Sequence, residues 1–306
     1  MHKKRVSDLL QIIQEQISPV YPIAGIRRQN AWWMLEALTK MNKAHLITAE
    51  HIELSTDQQT TLDEWIYKQV HNHMPLQYIL GSVPFDNLDI IVQPPILIPR
   101  QETEWWCMHV IYTLKKTHIN NLTILDLCSG SGCIGLALAD AFPDATVYAV
   151  DISPHAVALG QLNAQHNNIT NITFIESDLF TALPKDIRFD IIVSNPPYIP
   201  DTQWQTLDLS VSQWEDHQAL IADDAGLAII KKIIAQAPQY LKTDPLLTSH
   251  KIPQLIIEID SPQAELVKQL YQDAGFVNIA TKKDLEERER IVIGSLPDVA
   301  NTKHHQ

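Results

Sequence analysis

The feature that most constrains the fold is a regular alternation of short β-rich runs with helical stretches, which begins near residue 102. The β-rich runs contain branched and aromatic side chains; they are Thr123–Leu127, Thr146–Val150, Ile172–Ile175, Phe189–Val193 and Gln254–Ile259. The helical stretches between and after them lie near Cys133–Ala141, Pro154–His166, Ala225–Leu241 and Pro262–Ala274. Because neighbouring parallel strands need a crossover, usually a helix, this alternation predicts a parallel sheet with helices on both faces.

The last two β-rich runs break this alternation. Val277–Ala280 and Ile291–Gly294 follow each other without an intervening helix, so we expect an antiparallel pair to complete the sheet. Residues 242–253 match neither pattern and are predicted to be a loop insertion.

The first quarter of the chain has a different periodicity. From residue 6 to about residue 73, apolar side chains recur at three- and four-residue steps, which predicts a small helical bundle. Between Pro75 and Pro99, alternating apolar residues flank Asp86-Asn87, a turn-forming pair, which predicts a β-hairpin. We therefore expect four segments: a helical domain (1–74), a β-hairpin linker (75–100), an α/β domain (101–298) and a disordered tail (299–306).

Composition excludes several classes of protein. The net charge of −13 argues against stable binding to nucleic acid, which requires a basic surface. No stretch approaches the ~18 consecutive apolar residues of a membrane helix, and Asp8 and Glu15 interrupt any signal peptide, so a cytoplasmic protein is expected. The three cysteines form neither a disulfide framework nor a metal-ligand set. We expect a monomer without a metal site.

A glycine-rich loop follows the first β-rich run and is the first candidate site. Its residues are Cys128, Ser129, Gly130, Ser131 and Gly132. Gly130 and Gly132 lack a Cβ atom, which allows a ligand to lie against the backbone. The helix that follows offers free N–H groups to an anionic or carboxylate group. Asp151 lies 21 residues after Gly130, at the end of the second run, and its carboxylate can accept both hydroxyls of a ribose.

Two cofactors are compatible with this loop. Gly130-x-Gly132-x-x-Gly135 with Asp151 formally satisfies the fingerprint of NAD enzymes. However, Asp126 precedes Gly130 by four residues, as in the Asp-x-x-x-Gly-x-Gly loop of methyltransferases, where the acid orders the glycine turn and helps to hold the methionine ammonium. We therefore favour S-adenosyl-L-methionine.

The residues after the third β-rich run are predicted to bind the base of that cofactor. Asp178 can accept a hydrogen bond from the adenine amino group, and Leu179 or Phe180 can lie against the adenine ring.

The tetrapeptide Asn195-Pro196-Pro197-Tyr198 directly follows the fourth β-rich run. A planar amide nitrogen is a poor nucleophile because its lone pair is delocalised, so the nitrogen must be held in line with the methyl group. The Asn195 side-chain oxygen can accept one amide N–H and the Pro196 carbonyl the other, while Tyr198 can stack on the amide plane. The proline rings fix φ and keep Asn195 out of the helical region. We therefore predict that the tetrapeptide is both catalytic and substrate-binding.

Together these residues resemble the HemK family of protein-(glutamine-N5) methyltransferases, which act on peptide chain release factors. The resemblance extends from about residue 10 to residue 295. It rests on four blocks: Met74–Gly81, Ile96–Glu104, the glycine-rich loop and Val193–Ile199. The Pro-Arg-x-Glu-Thr-Glu pattern at Pro99–Glu104 favours the release-factor branch over the sister branch, which methylates a large-subunit ribosomal protein.

The resemblance implies a class I S-adenosylmethionine-dependent methyltransferase fold with a small N-terminal helical bundle that docks the substrate. It implies that Cys128–Gly132, Asp151, the Leu179 position and Asn195 contact the cofactor. It also implies that Asn195–Tyr198 grip the glutamine of the Gly-Gly-Gln tripeptide in release factors. The specificity of the Pro99–Glu104 block suggests that Arg100 and Glu102 lie on the substrate side.

The sequence departs from the family at several positions. Cys128 replaces a glycine and Leu179 an aromatic residue, and both changes are expected to weaken cofactor affinity. The changes at Trp214, in the segment Trp214-Glu215-Asp216, and at Asp260 are expected to lie away from the chemistry.

Two alternative functions remain open from the sequence. The first is methylation of a glutamine in a large-subunit ribosomal protein. The second is adenine-N6 methylation of DNA, because adenine-specific enzymes carry the same tetrapeptide and present a flipped base to it. The acidity of the chain and its lack of a target-recognition domain argue against DNA.

Overall fold

The computed structural model describes residues 3–117, 119–243, 247 and 252–298. The loop predicted over 242–253 lies largely outside the described residues, and the tail predicted over 299–306 lies wholly outside them. The chain forms two compact units, Met1–Ser82 with Asp208–Trp214 and Val83–Leu207 with Glu215–Gln306. In the described part of the chain, no helix is both long and apolar enough to cross a membrane.

The helices and strands are numbered in chain order over the described residues. The helices are α1 (Val6–Gln16), α2 (Ala24–Thr39), α3 (Lys43–Ala49), α4 (Thr56–Asn72), α5 (Leu76–Leu80), α6 (Gln101–Lys115), α7 (Cys133–Ala141), α8 (Pro154–His166), α9 (Leu209–Ser212), α10 (His217–Leu220), α11 (Asp223–Gly226), α12 (Ala228–Gln236) and α13 (Ala264–Asp273). The strands are β1 (Lys4–Arg5), β2 (His51–Ile52), β3 (Ser82–Phe85), β4 (Leu88–Ile91), β5 (Thr123–Leu127), β6 (Thr146–Asp151), β7 (Ile172–Glu176), β8 (Ile191–Ser194), β9 (Ile199–Pro200), β10 (Ile221–Ala222), β11 (Leu255–Glu258), β12 (Val277–Lys283) and β13 (Glu289–Ser295).

The first unit is a small helical bundle, as the apolar periodicity predicts. Helices α1 to α4 bury their apolar faces against one another, with Ile13, Met34, Leu35 and Leu46 fully excluded from solvent. Ser55 and Gln58 cap the start of α4 reciprocally, so that two backbone N–H groups that no helical bond can reach are satisfied. Strands β1 and β2 form one antiparallel pair.

The second unit contains a seven-stranded sheet with the strand order β12-β13-β11-β8-β5-β6-β7. Strands β11, β8, β5, β6 and β7 are parallel, and β13 is antiparallel to both β11 and β12. Every residue of β8 and β11 is buried, and all but the last residue of each strand are apolar. Such strands are typical of a parallel sheet covered on both faces. The sequence prediction of a mostly parallel sheet with an antiparallel pair at one end is confirmed, and every predicted strand overlaps an observed one.

The hairpin predicted around Asp86-Asn87 is also observed, as β3 and β4. Asp86 turns the chain with a positive φ of 53°, and its N–H donates to the Glu104 carboxylate at 2.8 Å. Asn163 of α8 holds the other side of the hairpin, since its side chain bonds both the N–H and the carbonyl of Ile91.

One predicted helix is shorter than expected. The apolar spacing predicts a helix over Ala225–Leu241, but α12 covers only Ala228–Gln236. Asp224 and Ala225, inside the short α11, have positive φ angles of 58° and 55°, so no regular helix runs from Ala225 into α12. After Gln236 the chain tightens into a 3₁₀ turn that contains Pro238, whose nitrogen has no hydrogen to donate.

Candidate active site

Four parallel strands bring the predicted site residues to one edge of the sheet. Strands β5, β6, β7 and β8 are neighbours, and each ends directly before or at a predicted site segment. Ligands of open α/β sheets bind at this carboxyl edge. A cavity of about 640 Å³ lies there, within the size range of small-molecule sites. The predicted residues that line it are Cys128, Gly130, Asp151, Asp178, Leu179, Asn195 and Pro197.

The glycine-rich loop needs left-handed backbone at three positions. Cys128, Gly130 and Gly132 have φ angles of 59°, 54° and 82°. A Cβ atom on Gly132 would lie 2.8 Å from the Phe174 ring, whereas one on Gly130 would meet nothing closer than Ile96 at 4.0 Å. Gly132 is therefore required by packing, while Gly130 leaves open space beside the backbone, where a ligand can approach.

Asp151 connects the end of β6 to this loop. Its Oδ2 accepts the Gly130 N–H at 2.8 Å and its Oδ1 accepts the Ser153 N–H at 2.9 Å. Burial raises the pKa of Asp151, and the backbone N–H groups oppose that effect. Because each carboxylate oxygen accepts more than one hydrogen bond, both oxygens retain capacity for ligand hydroxyls in the cavity.

Asp126 lies within β5 and is fully buried. Its Oδ2 accepts the Gly135 N–H at 2.8 Å, which ties the strand to the first turn of α7 and orders the loop between them. Burial raises its pKa to about 8. Asp126 does not line the cavity, so its contact with a ligand ammonium remains a prediction.

The remaining predicted cofactor residues divide between the cavity wall and the layer behind it. Leu179 lines the cavity, but Phe180 is buried and stacks on Tyr240 with ring centroids 4.5 Å apart, so only Leu179 is placed to meet a base. Ser129 and Ser131 are buried and, with Gly132, do not line the cavity. Asn163 of α8 donates to the Ser131 carbonyl at 3.0 Å and so braces the loop from behind.

The tetrapeptide follows β8, and its polar groups are held by other elements. The Asn195 side-chain N–H₂ donates to the Thr103 hydroxyl at 3.2 Å, and the Tyr198 hydroxyl donates to Glu258 at 3.2 Å. The Tyr198 carbonyl accepts a hydrogen bond from Gln263 at 2.9 Å. Asn195 and Pro197 line the cavity, whereas Pro196 and Tyr198 do not.

Glu258, at the end of β11, is a site residue that the sequence analysis did not identify. Its Oε2 accepts the Thr103 hydroxyl at 2.7 Å and the Trp106 indole N–H at 2.6 Å, and its Oε1 accepts the Tyr198 hydroxyl. Burial raises the pKa of Glu258, while these donors and the charge of Arg290 lower it. Thr103 lies in the Pro99–Glu104 block, so the sequence specificity of that block was the one sign that Thr103 has a role in the site.

The rest of that block is built into the start of α6. Arg100 forms an ion pair with Glu215, whose side chain is fully buried, and Glu215 also accepts the Ile98 N–H. Glu102 and Glu104 lie in the first turn of α6, where acidic side chains interact favourably with the helix dipole. Neither Arg100 nor Glu102 lines the cavity, so their predicted contact with substrate remains a prediction.

The Trp214-Glu215-Asp216 departure borders the cavity at its last residue, whereas neither Trp214 nor Asp260 lines the cavity. Asp216 lines the cavity, and its N–H donates to the Pro95 carbonyl at 2.8 Å. His217 and Asp201 line the same cavity and lie 3.5 Å apart. These residues could not be placed from sequence because the chain between the tetrapeptide and α12 forms only short, irregular elements.

Comparison with known proteins identifies the family. The Methyltransferase small domain matches residues 108–211, and the PrmC N-terminal domain matches residues 23–81. A release factor glutamine methyltransferase of Escherichia coli is 35% identical over 282 residues, which cover 92% of this chain and 96% of that protein. One from Coxiella burnetii is 34% identical over 288 residues, which cover 94% and 98%.

A solved structure supports the fold alone. The hMettl16 catalytic domain, solved in complex with a 3′UTR hairpin, is 13% identical with a TM-score of 0.51, and the match covers 80% of this chain and 84% of that one.

The sheet order, the glycine-rich loop and the methyltransferase domain match define a class I S-adenosylmethionine-dependent methyltransferase. Because relatives more than 30% identical match nearly its whole length, the chain belongs to the release factor glutamine methyltransferase family.

The residues present fit that cofactor. Carboxylates at the ends of β6 and β7 can accept hydroxyl and amino hydrogens, and Leu179 offers an apolar surface to a base. In the described part of the chain, Asp126 Oδ1 and Ser129 Oγ are buried polar atoms without a hydrogen-bond partner. Asp126 and Ser129 are both buried behind the cavity wall, at the glycine-rich loop.

Proposed function

We propose that this protein transfers a methyl group from S-adenosylmethionine to the side-chain amide nitrogen of a glutamine in peptide chain release factors. The observation that carries the proposal is the placement of Asn195, which lines the same cavity as Asp151 and Asp178 while its amide is fixed from behind by Thr103. The relatives named release factor glutamine methyltransferases support the choice of substrate.

The cofactor supplies a methyl group activated by a sulfonium. The protein positions the acceptor. With its N–H₂ bonded to Thr103, Asn195 has its side-chain oxygen free to accept one N–H of the substrate amide, and the Pro196 carbonyl accepts the other. Holding the nitrogen in this way replaces a random encounter with an oriented one, which can supply much of the rate enhancement. The alkylated amide is strongly acidic and loses its proton to water, so no strong base is required.

We further propose that the target is the glutamine of the Gly-Gly-Gln tripeptide. A glycine-rich loop can be drawn into a cavity at modest conformational cost. Residues 1–74 are proposed to supply a docking surface for the release factor, with Arg100 and Glu102 contacting it near α6. We expect the enzyme to act as a cytoplasmic monomer that forms no stable complex with nucleic acid.

The test is a labelling experiment with four acceptors in parallel. The enzyme receives S-adenosylmethionine labelled in the methyl group together with a release factor, its Gly-Gly-Gln→Gly-Gly-Ala variant, a large-subunit ribosomal protein or duplex DNA. We expect label on the wild-type release factor alone. Equal label on the Ala variant would move the modified residue elsewhere, and label only on ribosomal protein or DNA would replace the proposed substrate.

A further inference from the structure

We propose that Glu258 is a positioning residue for the reaction, and that it sets which end of the Asn195 amide faces the substrate. The inference rests on the proposed function, since it names how this chain orients the glutamine that it methylates. Glu258 does not line the cavity, and we infer that it acts through Thr103 and Tyr198, to which it is hydrogen-bonded.

The hydrogen bonds around the Glu258 carboxylate have fixed directions. An indole N–H can only donate, so Trp106 requires Glu258 Oε2 to accept. Thr103 shares that oxygen and Tyr198 bonds the other, and an ionised carboxylate can only accept from both. Glu258 is 1% exposed, so these donors take the place of solvent around it.

The orientation of the Asn195 amide follows from its hydrogen bond with Thr103. The single hydroxyl hydrogen of Thr103 is directed to Glu258, which leaves only lone pairs of the Thr103 oxygen for Asn195. The Asn195 amide must therefore turn its N–H₂ toward Thr103 and its oxygen toward the cavity. In the opposite orientation two acceptors would face each other at Thr103, and Asn195 would present donors to a substrate N–H.

The same carboxylate also fixes the Tyr198 hydroxyl. Because its hydroxyl hydrogen is directed to Glu258, the phenol is not free to donate to a substrate carbonyl. The positive charge of Arg290, which is hydrogen-bonded to Asp284, acts to lower the pKa of both Tyr198 and Glu258. Tyr198 therefore contributes the face of its ring, in a position fixed from β11.

The test uses substitutions that keep shape and change hydrogen bonding. Thr103→Val removes the hydroxyl at constant size, and Thr103→Ser retains it. Thr113→Val is a matched control on the same helix, because Thr113 is half-buried and its hydroxyl donates to the His109 carbonyl, away from Glu258 and Asn195. Turnover on the release factor, the dissociation constant of S-adenosylmethionine from calorimetry, and binding of the release factor to cofactor-free enzyme are measured for each variant.

We expect Thr103→Val to lower kcat by ~10²-fold, the typical effect of losing one well-placed polar group. Cofactor binding should stay close to that of the Thr113→Val control, the melting temperature should fall because the buried Glu258 carboxylate loses a donor, and Thr103→Ser should recover most of the lost turnover. A merely structural role of Thr103 would lower melting temperature and cofactor affinity together, and Thr103→Val with the turnover of the control would overturn the proposal.

Glu258→Gln separates the effect of the contact with Thr103 from the effect of the contact with Tyr198. The glutamine oxygen must face Trp106 and Thr103, so its N–H₂ faces Tyr198 and reverses that hydrogen bond. We therefore expect Glu258→Gln to keep more turnover than Thr103→Val, and Tyr198→Phe to fall between wild type and Thr103→Val. A Glu258→Gln loss larger than that of Thr103→Val would contradict the proposed route through Thr103. An inactive wild-type enzyme would instead contradict the proposed function.

Discussion

At the scale of single residues, the site combines groups whose ionisation is shifted by burial with backbone held in uncommon conformations. Asp126 shows the first effect. It is fully buried, and its pKa is raised to about 8 by burial, with the Gly135 N–H acting in the opposite direction. The carboxyl therefore orders the glycine-rich loop while it opposes folding whenever it is ionised.

Asp126→Asn should remove this pH-dependent cost. A raised pKa means that the folded state binds more protons than the unfolded state, so stability falls as pH rises from the unfolded pKa toward the folded one. The wild type should therefore lose stability relative to Asp126→Asn between about pH 5 and pH 8, by at most about 1.4 kcal/mol per pH unit. Urea denaturation of both cofactor-free proteins across that range measures the difference, and a difference that stays constant with pH would refute the assignment.

Cys128 shows the second effect. It has a φ of 59° on the cavity wall, at the position where the family usually has glycine. Left-handed backbone is costly for residues with a Cβ atom and worst for β-branched ones. The sequence departure therefore marks a strained position rather than a change of fold.

Substitutions at Cys128 test that strain. Cys128→Val should lower the free energy of unfolding by about 1–3 kcal/mol. Cys128→Gly should change it by less than about 1 kcal/mol, because relief of strain is offset by the greater freedom of glycine in the unfolded chain. Chemical denaturation of the two variants gives both values; a valine variant as stable as the glycine variant would show that the backbone relaxes at this position.

At the scale of elements, the glycine-rich loop depends on close packing between α8 and β7. A Cβ atom on Gly160 of α8 would lie 2.2 Å from the Phe174 ring, and the same ring limits Gly132. Asn163, on the same helix, bonds both Ser131 and Ile91. A shift of α8 would therefore move the loop that lines the cofactor cavity.

Gly160→Ala should destabilise the protein although alanine is the better helix former. Overpacking of this kind typically costs ~1–3 kcal/mol, which exceeds the ~1 kcal/mol gained from helix propensity. Gly25→Ala in α2 is the matched control, because a Cβ atom there meets nothing within 4 Å and should be neutral or stabilising. Thermal melts of the two variants compare them, and equal melting temperatures would show that Phe174 moves aside without cost.

Elements with strong local signals were predictable from sequence. Strand β5 and helices α7 and α8 begin and end at the predicted residues, since Gly132 precedes α7 and Ser153 caps α8 with Pro154 in its first turn. The position of the glycine-rich loop between β5 and α7 was predictable for the same reason. Glu258 and Thr103 were not paired, because they are 155 residues apart and are brought together only when α6 packs against the sheet.

At the scale of the whole molecule, one cavity is proposed to hold both the cofactor and the acceptor amide. The carboxyl ends of β5, β6 and β7 build the proposed cofactor part of the cavity, and the end of β8 builds the proposed acceptor part. The central claim is that Asn195 presents a glutamine amide to the activated methyl group. This claim predicts which atom is modified, namely the side-chain amide nitrogen of the glutamine.

The most direct measurement locates the methyl group. A release factor is incubated with S-adenosylmethionine and either the wild-type enzyme or Asn195→Ala, and fragment-ion mass spectrometry of its peptides assigns the modified atom. We predict one methyl group on the side-chain amide nitrogen of the Gly-Gly-Gln glutamine with the wild type. With Asn195→Ala we predict a drop in rate of ~10²-fold or more and a nearly unchanged cofactor affinity. A methyl group on another residue, or an Asn195→Ala enzyme with wild-type turnover, would contradict the account.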